Sequence, residues 1–348
     1  MAPLHKLWPA LDDIPGAQAS LAEWRTRLGD AFPSVQPFLR PTDQFAASLP
    51  VDGEPYASYR VVRHAADDIV GVHDGGGPTI TLSKLDVLIY RLDRERVIRD
   101  TAAALGLEAA HEVVDGLSHT HRIGTFRPFA GFAFPCFLTL PVESDDLQRA
   151  AELIAVHNDV PFILMAPTNS HLRPACESLL RNRRACFLTL SDAVAVDDQG
   201  KWTASAAAKD RLTAFQQATI PQATDETSIA FFPTPPNATW GDLRIKFDDG
   251  ESVTVKVGDA RGRFLYSQMG MVDGRSTKPN TRWRLLQSFA KGYGVLTWDS
   301  PDASSKNQKR RETLSRDLQT FFRIEGDPIE YVHETKGWRT LFTLEPDA

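Results

Sequence analysis

The chain of 348 residues is 42% hydrophobic and carries a formal net charge of −6 at pH 7, which suffices for two or three globular domains. It contains no apolar run near the ~18 residues of a membrane-spanning helix and no secretory signal, so the sequence predicts a cytoplasmic protein. The acidic balance excludes a protein that coats nucleic acid with its whole surface. Any DNA contact therefore has to come from a local basic patch.

Residues 1–140 predict a mixed α+β domain. Leu21, Trp24 and Leu28 recur at helical spacing in an amphipathic helix over 17–28. A Pro-rich connection then leads to short segments rich in branched and aromatic residues, which favour strands. The predicted strands are 59–63, 69–73, 79–82 and 87–90, followed by a helix over 93–105 and a strand pair over 120–125 and 132–140.

Residues 141–231 predict a central α/β domain with a short parallel sheet. Apolar strands alternate with helices there, which is typical of βαβ units. The predicted order is helix 145–156, strand 161–166, helix 170–182, strand 184–190 and helix 203–221. Three prolines within 232–238 oppose regular structure, so we place the main domain boundary at that segment.

Residues 239–348 predict a third domain. Strands 243–247 and 252–257 flank an Asp-Gly turn, which is typical of a hairpin, and a helix follows over 281–291. A basic segment over 305–324 is also helical, with Leu314, Leu318 and Phe321 on one inward face. Strands over 329–332 and 338–344 close the chain.

The opposite face of the basic helix carries cations and hydrogen-bonding side chains that suit phosphates and base edges. Lys309 and Arg316 lie on this face, Thr313 flanks it, and Lys306 and Arg310 extend it at the helix start, where major-groove helices make most of their contacts. Helix, basic helix and hairpin follow one another in the order of a winged helix.

Three motifs carry a resemblance to a known family: Lys309-Arg-Arg-x-x-Leu-Ser-Arg-x-Leu318, Pro328-Ile329 and Lys336-Gly-Trp-Arg-x-Leu-Phe342. Over residues 240–345 the sequence resembles the response-regulator-type winged helix of the OmpR/PhoB class. The resemblance implies that the third helix of the domain enters the major groove and that the wing touches the adjacent backbone. Residues 1–230 lack the acidic phosphoacceptor pattern of a receiver domain, so control by aspartyl phosphorylation is not implied.

Carried over to this chain, the resemblance makes Lys309, Arg316 and Arg323 helix contacts and Lys336 and Arg339 wing contacts. The full set of predicted DNA-binding residues is Lys306, Lys309, Arg310, Thr313, Arg316, Arg323, Lys336 and Arg339. A basic amphipathic helix is also compatible with a solvated surface or with binding of a protein partner, and both alternatives stay open.

A candidate ligand site follows the strand at 161–166, because open parallel sheets bind ligands where strands end and helices begin. Thr168, Asn169 and Ser170 offer hydrogen bonds there, and His171 and Arg173 offer positive charge. The same residues also have an explanation without a ligand, in which Ser170 is a helix N-cap and Asn169 is a turn residue.

No catalytic residue, metal site or cofactor is predicted. His119-x-His121, with His111 upstream, lacks the further ligands that a metal site needs. The three cysteines, Cys136, Cys176 and Cys186, are too scattered for a disulfide framework and are expected to be buried.

The leading hypothesis is a cytoplasmic transcriptional regulator that is not an enzyme. Its winged helix binds double-stranded DNA, and the preceding regions sense a small-molecule or protein effector. One alternative is an adaptor that holds a protein partner, and another is an enzyme with its site at 168–173. A homodimer on two half-sites stays open, because the sequence identifies no dimer face.

Overall fold

Helices and strands are mixed throughout the chain, as the sequence predicts. The computed structural model describes residues 4–51, 53–65, 67–197, 199–220, 230–301, 304 and 306–347. The chain divides into two units. The first comprises Met1–Phe126 and Phe134–Thr219, and the second comprises Arg127–Ala133 and Ile220–Ala348.

The helices of the first unit are α1 Leu7–Asp13, α2 Leu21–Leu28, α3 Phe32–Val35, α4 Lys84–Val87, α5 Arg94–Ala104, α6 Ser144–His157, α7 Pro174–Asn182, α8 Leu190–Ala193 and α9 Ala206–Thr219. Its strands are β1 Gln18–Ser20, β2 Leu39–Phe45, β3 Ser48–Val51, β4 Glu54–Arg63, β5 Ile69–His73, β6 Ile80–Leu82, β7 Leu88–Leu92, β8 Glu108–Val113, β9 Thr120–Phe126, β10 Phe134–Thr139, β11 Ile163–Ala166, β12 Cys186–Thr189, β13 Val194–Val196 and β14 Trp202–Ala204.

A five-stranded sheet of order β12-β11-β10-β9-β8 forms the centre of this unit. The predicted parallel βαβ arrangement is confirmed, because β10, β11 and β12 pair in parallel through the α6 and α7 crossovers. Phe137 and Leu164 lie on the face that α6 and α7 cover. Strands β9 and β8 extend the sheet antiparallel, so the sheet includes strands from both sides of residue 140.

Smaller sheets of order β1-β7-β2, β3-β4-β5-β6 and β13-β14 complete the first unit. The glycine-rich turn after Asp74 joins the antiparallel strands β5 and β6. Trp8 and Trp24 are almost fully buried in the core.

Three predicted helix starts are wrong. Helix α2 begins at Leu21, with Ser20 as its N-cap, because residues 18–20 pair with β7 as a strand. Helix α7 begins after Arg173 rather than at Ser170, because Pro174 favours the first helical position. Helix α9 begins at Ala206, since residues 202–204 form β14. Position 221, its predicted last residue, lies outside the described residues.

The second unit contains β15 Leu243–Phe247, β16 Ser252–Val257, β17 Ala260–Leu265, α10 Thr281–Lys291, β18 Val295–Thr297, α11 Asn307–Phe322, β19 Ile329–Val332, β20 Gly337–Thr340 and β21 Thr343–Glu345. The hairpin β15–β16 and helix α10 have the predicted bounds, and residues 230–238 form no helix or strand. Ser305, where the basic helix was predicted to start, lies outside the described residues.

Two sheets flank the helices of this unit, one of order β17-β16-β15-β21 and one of order β18-β20-β19. The predicted strand over 338–344 is two strands. Thr340 closes β20, and residues 343–345 then pair in parallel with β15. Both helices share one core with Leu243, Ile245 and Phe247 of β15, so Arg244 and Lys246 point away from it.

Candidate nucleic-acid interface

Helix α11 is amphipathic in the predicted sense. Leu314 and Leu318 are fully buried and Phe321 is 1% exposed, which confirms the inward stripe. Lys309, Glu312 and Arg316 lie on the exposed side, because residues spaced three, four and seven apart share a helix face. The sequence pattern therefore fixes which side of α11 meets solvent.

Cations dominate the exposed side of α11. Lys306, Lys309 and Arg316 form no ion pair with any carboxylate in the described part of the chain, although other basic residues of this unit do. Arg310 is half-buried and its guanidinium lies 3.4 Å from Asn307 Oδ1. Glu312 is the acidic exception. The exposed side of α11 therefore carries positive charge that no described carboxylate neutralises.

A cleft of about 640 Å³ opens between the start of α10 and the first two turns of α11. Lys306, Lys309, Arg310 and Thr313 line it from α11, which brings four predicted DNA contacts to one depression. On the other side Asn280 caps α10, accepting hydrogen bonds from the Arg282 and Trp283 amides at 2.9 and 3.1 Å. This wall was not predicted from the sequence, although Asn immediately before a helix is an N-cap signal.

An ion pair of 2.7 Å joins Arg282 Nε of α10 to Asp317 Oδ2 of α11. Burial raises the pKa of the Asp317 carboxyl, and the positive charge of Arg282 opposes that rise. Both side chains are mostly buried, so the pair holds the two helices together beneath the cleft.

Arg323 does not belong to the exposed side of α11. It is the C-cap of α11 in a left-handed conformation with φ of 57°. Its guanidinium carbon stacks 4.2 Å from the ring centre of Phe132 and 5.0 Å from that of Phe231, and burial lowers its pKa. The aromatic contacts occupy this side chain within the second unit, so we do not count it among the accessible cations.

The hairpin β19–β20 carries the two predicted wing residues. Lys336 is exposed at the turn, with φ of 48°, and forms no ion pair with a described carboxylate. Arg339 is paired with Glu330 across the hairpin at 2.5 Å. Lys336 is therefore the freer cation of the two.

Exposed aromatic rings lie on the same three-stranded sheet. Trp298 is 54% exposed and Tyr331 is 45% exposed. Both rings lie 6.2 Å, centre to centre, from Trp338. We call Trp298, Tyr331 and Trp338 the aromatic cluster.

The two units differ in charge. The second unit, residues 127–133 and 220–348, holds 19 Lys and Arg against 18 Asp and Glu, whereas the first unit, residues 1–126 and 134–219, holds 20 against 27. The acidic balance of the whole chain therefore comes from the first unit, and the exposed cations of α11 lie in a unit that is close to neutral.

The predicted ligand loop in the first unit is held by carboxylates. The hydroxyl of Thr168 donates a hydrogen bond to Asp12 and accepts one from the Ser170 amide at 3.0 Å. Arg173 pairs with Asp145 at 2.5 Å. Asn169 and Ser170 are exposed. Sequence reasoning missed Asp12, which lies 156 residues before Thr168 and carries no local signal.

His171 is half-buried, and its Nε2 has no hydrogen-bond partner within the described residues. Nε2 of His171 is therefore a buried polar atom that no described residue satisfies.

The histidines noted in the sequence also lie in the first unit. His121 faces His111 across β8 and β9, with ring centres 5.6 Å apart. The described residues contain no group of three or more His, Cys, Asp or Glu side chains arranged to hold a metal ion.

Comparisons with known proteins give no family for this chain. No protein-family model, curated protein or solved structure matches it. In the described part of the chain no helix is long and apolar enough to cross a bilayer.

Proposed function

We propose that the second unit binds double-stranded DNA through the exposed face of α11, with the hairpin β19–β20 as a second contact. The observation that carries the proposal is the set of exposed cations without a described carboxylate partner: Lys306, Lys309 and Arg316 on the helix and Lys336 at the hairpin turn. Counterions released from phosphates by such side chains supply most of the affinity of non-specific DNA binding.

The arrangement of elements supports a winged helix. Helix α10, strand β18, helix α11 and a hairpin follow in order, and the sheet order β18-β20-β19 places the strand between the helices beside the hairpin. The described residues between β18 and α11 form turns, so α11 is the second helix of the described unit, where the family's reading helix is the third. Helix α11 has 16 residues, and the major groove, ~12 Å wide, admits an α-helix.

In this account the protein is a transcriptional regulator. The second unit contacts DNA, and the first unit, which holds the loop at 168–173, senses an effector. No contact in the account requires an enzymatic activity, a cofactor or a metal.

A fluorescence-anisotropy titration of the full chain with random duplex DNA at two salt concentrations tests the proposal. Three or four phosphate contacts predict that the logarithm of the binding constant falls with the logarithm of salt concentration, with a slope of about −3 to −4. Absence of binding at low salt would contradict the proposal.

The aromatic cluster favours a second candidate, in which the second unit holds a protein partner. Exposed Trp and Tyr are common anchors of protein interfaces, and Trp298 and Tyr331 are both solvent-accessible. An interface built on these rings would respond little to salt. Replacing Trp298 with Ala should abolish partner binding and leave the affinity for duplex DNA unchanged, so the two functions can be separated.

A further inference from the structure

Three imidazoles and one guanidinium gather where β9 begins in the first unit. His121 lies opposite Leu138 of β10, at the carboxyl end of the parallel strands, and its ring faces His111. Arg94, the first residue of α5, places Nη2 3.4 Å from His119 Nδ1. We call Arg94, His119 and His121 the basic cluster.

His121 is buried without a hydrogen-bond partner. The residue is 8% exposed, and neither ring nitrogen bonds to any described residue. Arg94 Nη2 donates to the carbonyl of Gly16 at 2.7 Å, but Arg94 Nε is buried and also unpartnered. Buried polar groups in proteins are nearly always satisfied, and an unexplained exception points to water or a ligand.

The charge of the surroundings selects the ligand. The groups that act on His121 are His111, Arg94 and His119, which all disfavour its protonation. Asp93, the N-cap of α5, pairs with Arg40, and Glu112 of β8 pairs with Arg122. A cation would be repelled here, whereas an anion would meet donors that no described carboxylate satisfies.

We propose that the basic cluster binds a small oxyanion, a phosphate or a carboxylate group. Guanidinium and imidazole N–H groups are strong donors to such oxygens. His111 is exposed and His119 is half-buried, so the cluster is open to solvent on the side of β8. The site belongs to the first unit alone and is independent of DNA binding.

Binding is coupled to protonation of His121. Burial and the neighbouring positive charges lower the pKa of His121 in the free protein, and a bound oxyanion removes part of that penalty. The complex therefore takes up a proton, and the affinity rises as pH falls from 7.5 towards 6. A structural histidine without a ligand would not give this dependence.

Thermal unfolding of the full chain tests the proposal. Melting is followed at pH 6.5 with increasing sodium phosphate, sodium acetate or sodium chloride at one ionic strength. The expected result is a saturable rise of the melting temperature with phosphate or acetate over chloride, and the more effective anion identifies the oxyanion class. An equal response to all three salts would overturn the proposal.

Matched variants locate the effect. His119→Gln and His121→Gln should lose the specific rise. His157→Gln, at the exposed end of α6, where Nδ1 lies 2.8 Å from Leu153 O, should keep it. If His121→Gln does not fold, the melting of His119→Gln, at a half-buried position, tests the proposal by itself. A rise in His119→Gln equal to that of the unmodified chain would also overturn the proposal.

Discussion

The hydroxyl of Ser315 in α11 donates a 2.8 Å hydrogen bond to the carboxylate of Asp327, just before the hairpin. The same carboxylate accepts the Ile329 amide at 3.1 Å and pairs with Arg311 at 2.5 Å. Asp327 therefore fixes the start of β19 to the helix that carries the exposed cations.

Replacing Asp327 with Ala should lower the free energy of unfolding by about 1–3 kcal/mol, because three donors lose their acceptor. Urea denaturation measures the change. Asp327→Asn is the matched variant, since it keeps one acceptor oxygen and should lose less. An alanine variant as stable as the unmodified chain would show that Asp327 does not hold the hairpin.

Leu318→Ala should cost about 2–5 kcal/mol, because it opens a cavity in a fully buried part of the core. Thr320→Ala, two positions along on the exposed side of α11, should change the free energy of unfolding by less than ~0.5 kcal/mol. Denaturation of both variants checks the orientation of the helix. Similar losses in the two variants would mean that α11 is turned differently.

The stability of the first unit should fall in mild acid because of His121. Its pKa in the folded chain is lowered from 6.5. Above pH 6.5 the ring is therefore neutral in both the folded and the unfolded chain, and its titration does not change the free energy of unfolding. As pH falls below 6.5 the unfolded chain takes up the proton first, and stability is lost until the folded pKa is reached. Denaturation in phosphate-free buffer between pH 7.5 and 5.5 should show this loss, and His121→Phe should reduce it. A loss of the same size in His121→Phe would assign it to other groups.

The cysteines should resist alkylation in the folded protein. Burial raises the pKa of Cys136 to about 12 and those of Cys176 and Cys186 to about 11, so the thiolate is scarce at pH 8. Mass spectrometry after iodoacetamide treatment should find all three unmodified until urea is added. Rapid modification of the native chain would contradict the buried positions.

Local patterns predicted much of the fold. The alternation of Leu243, Ile245 and Phe247 predicted β15, and the predicted helix over 281–291 has the bounds of α10. Strand β17 was not predicted, because it is a partly exposed edge strand and Arg261 and Arg263 make its sequence polar. The short apolar runs over 161–166 and 184–190 predicted parallel strands, because strands that are buried on both faces have continuously apolar sequences.

Tertiary contacts explain what the sequence could not predict. Asp12 meets Thr168 across 156 residues, and no periodicity signals such a pair. Arg323 continues the basic face of α11 in the sequence, yet the chain turns left-handed there and the guanidinium stacks on Phe132. The charge of a side chain was readable from the sequence, but its neighbours were not.

The most direct test of the central claim compares matched exposed cations on two elements of the second unit. Arg316→Ala and Lys309→Ala remove charge from the exposed face of α11, whereas Arg244→Ala and Lys246→Ala remove it from the outer face of β15. Each variant of the full chain is titrated with duplex DNA at several salt concentrations. We expect each α11 variant to weaken binding and to reduce the salt slope by about 1, with the β15 variants unchanged. Equal effects of the two pairs would contradict DNA binding by α11.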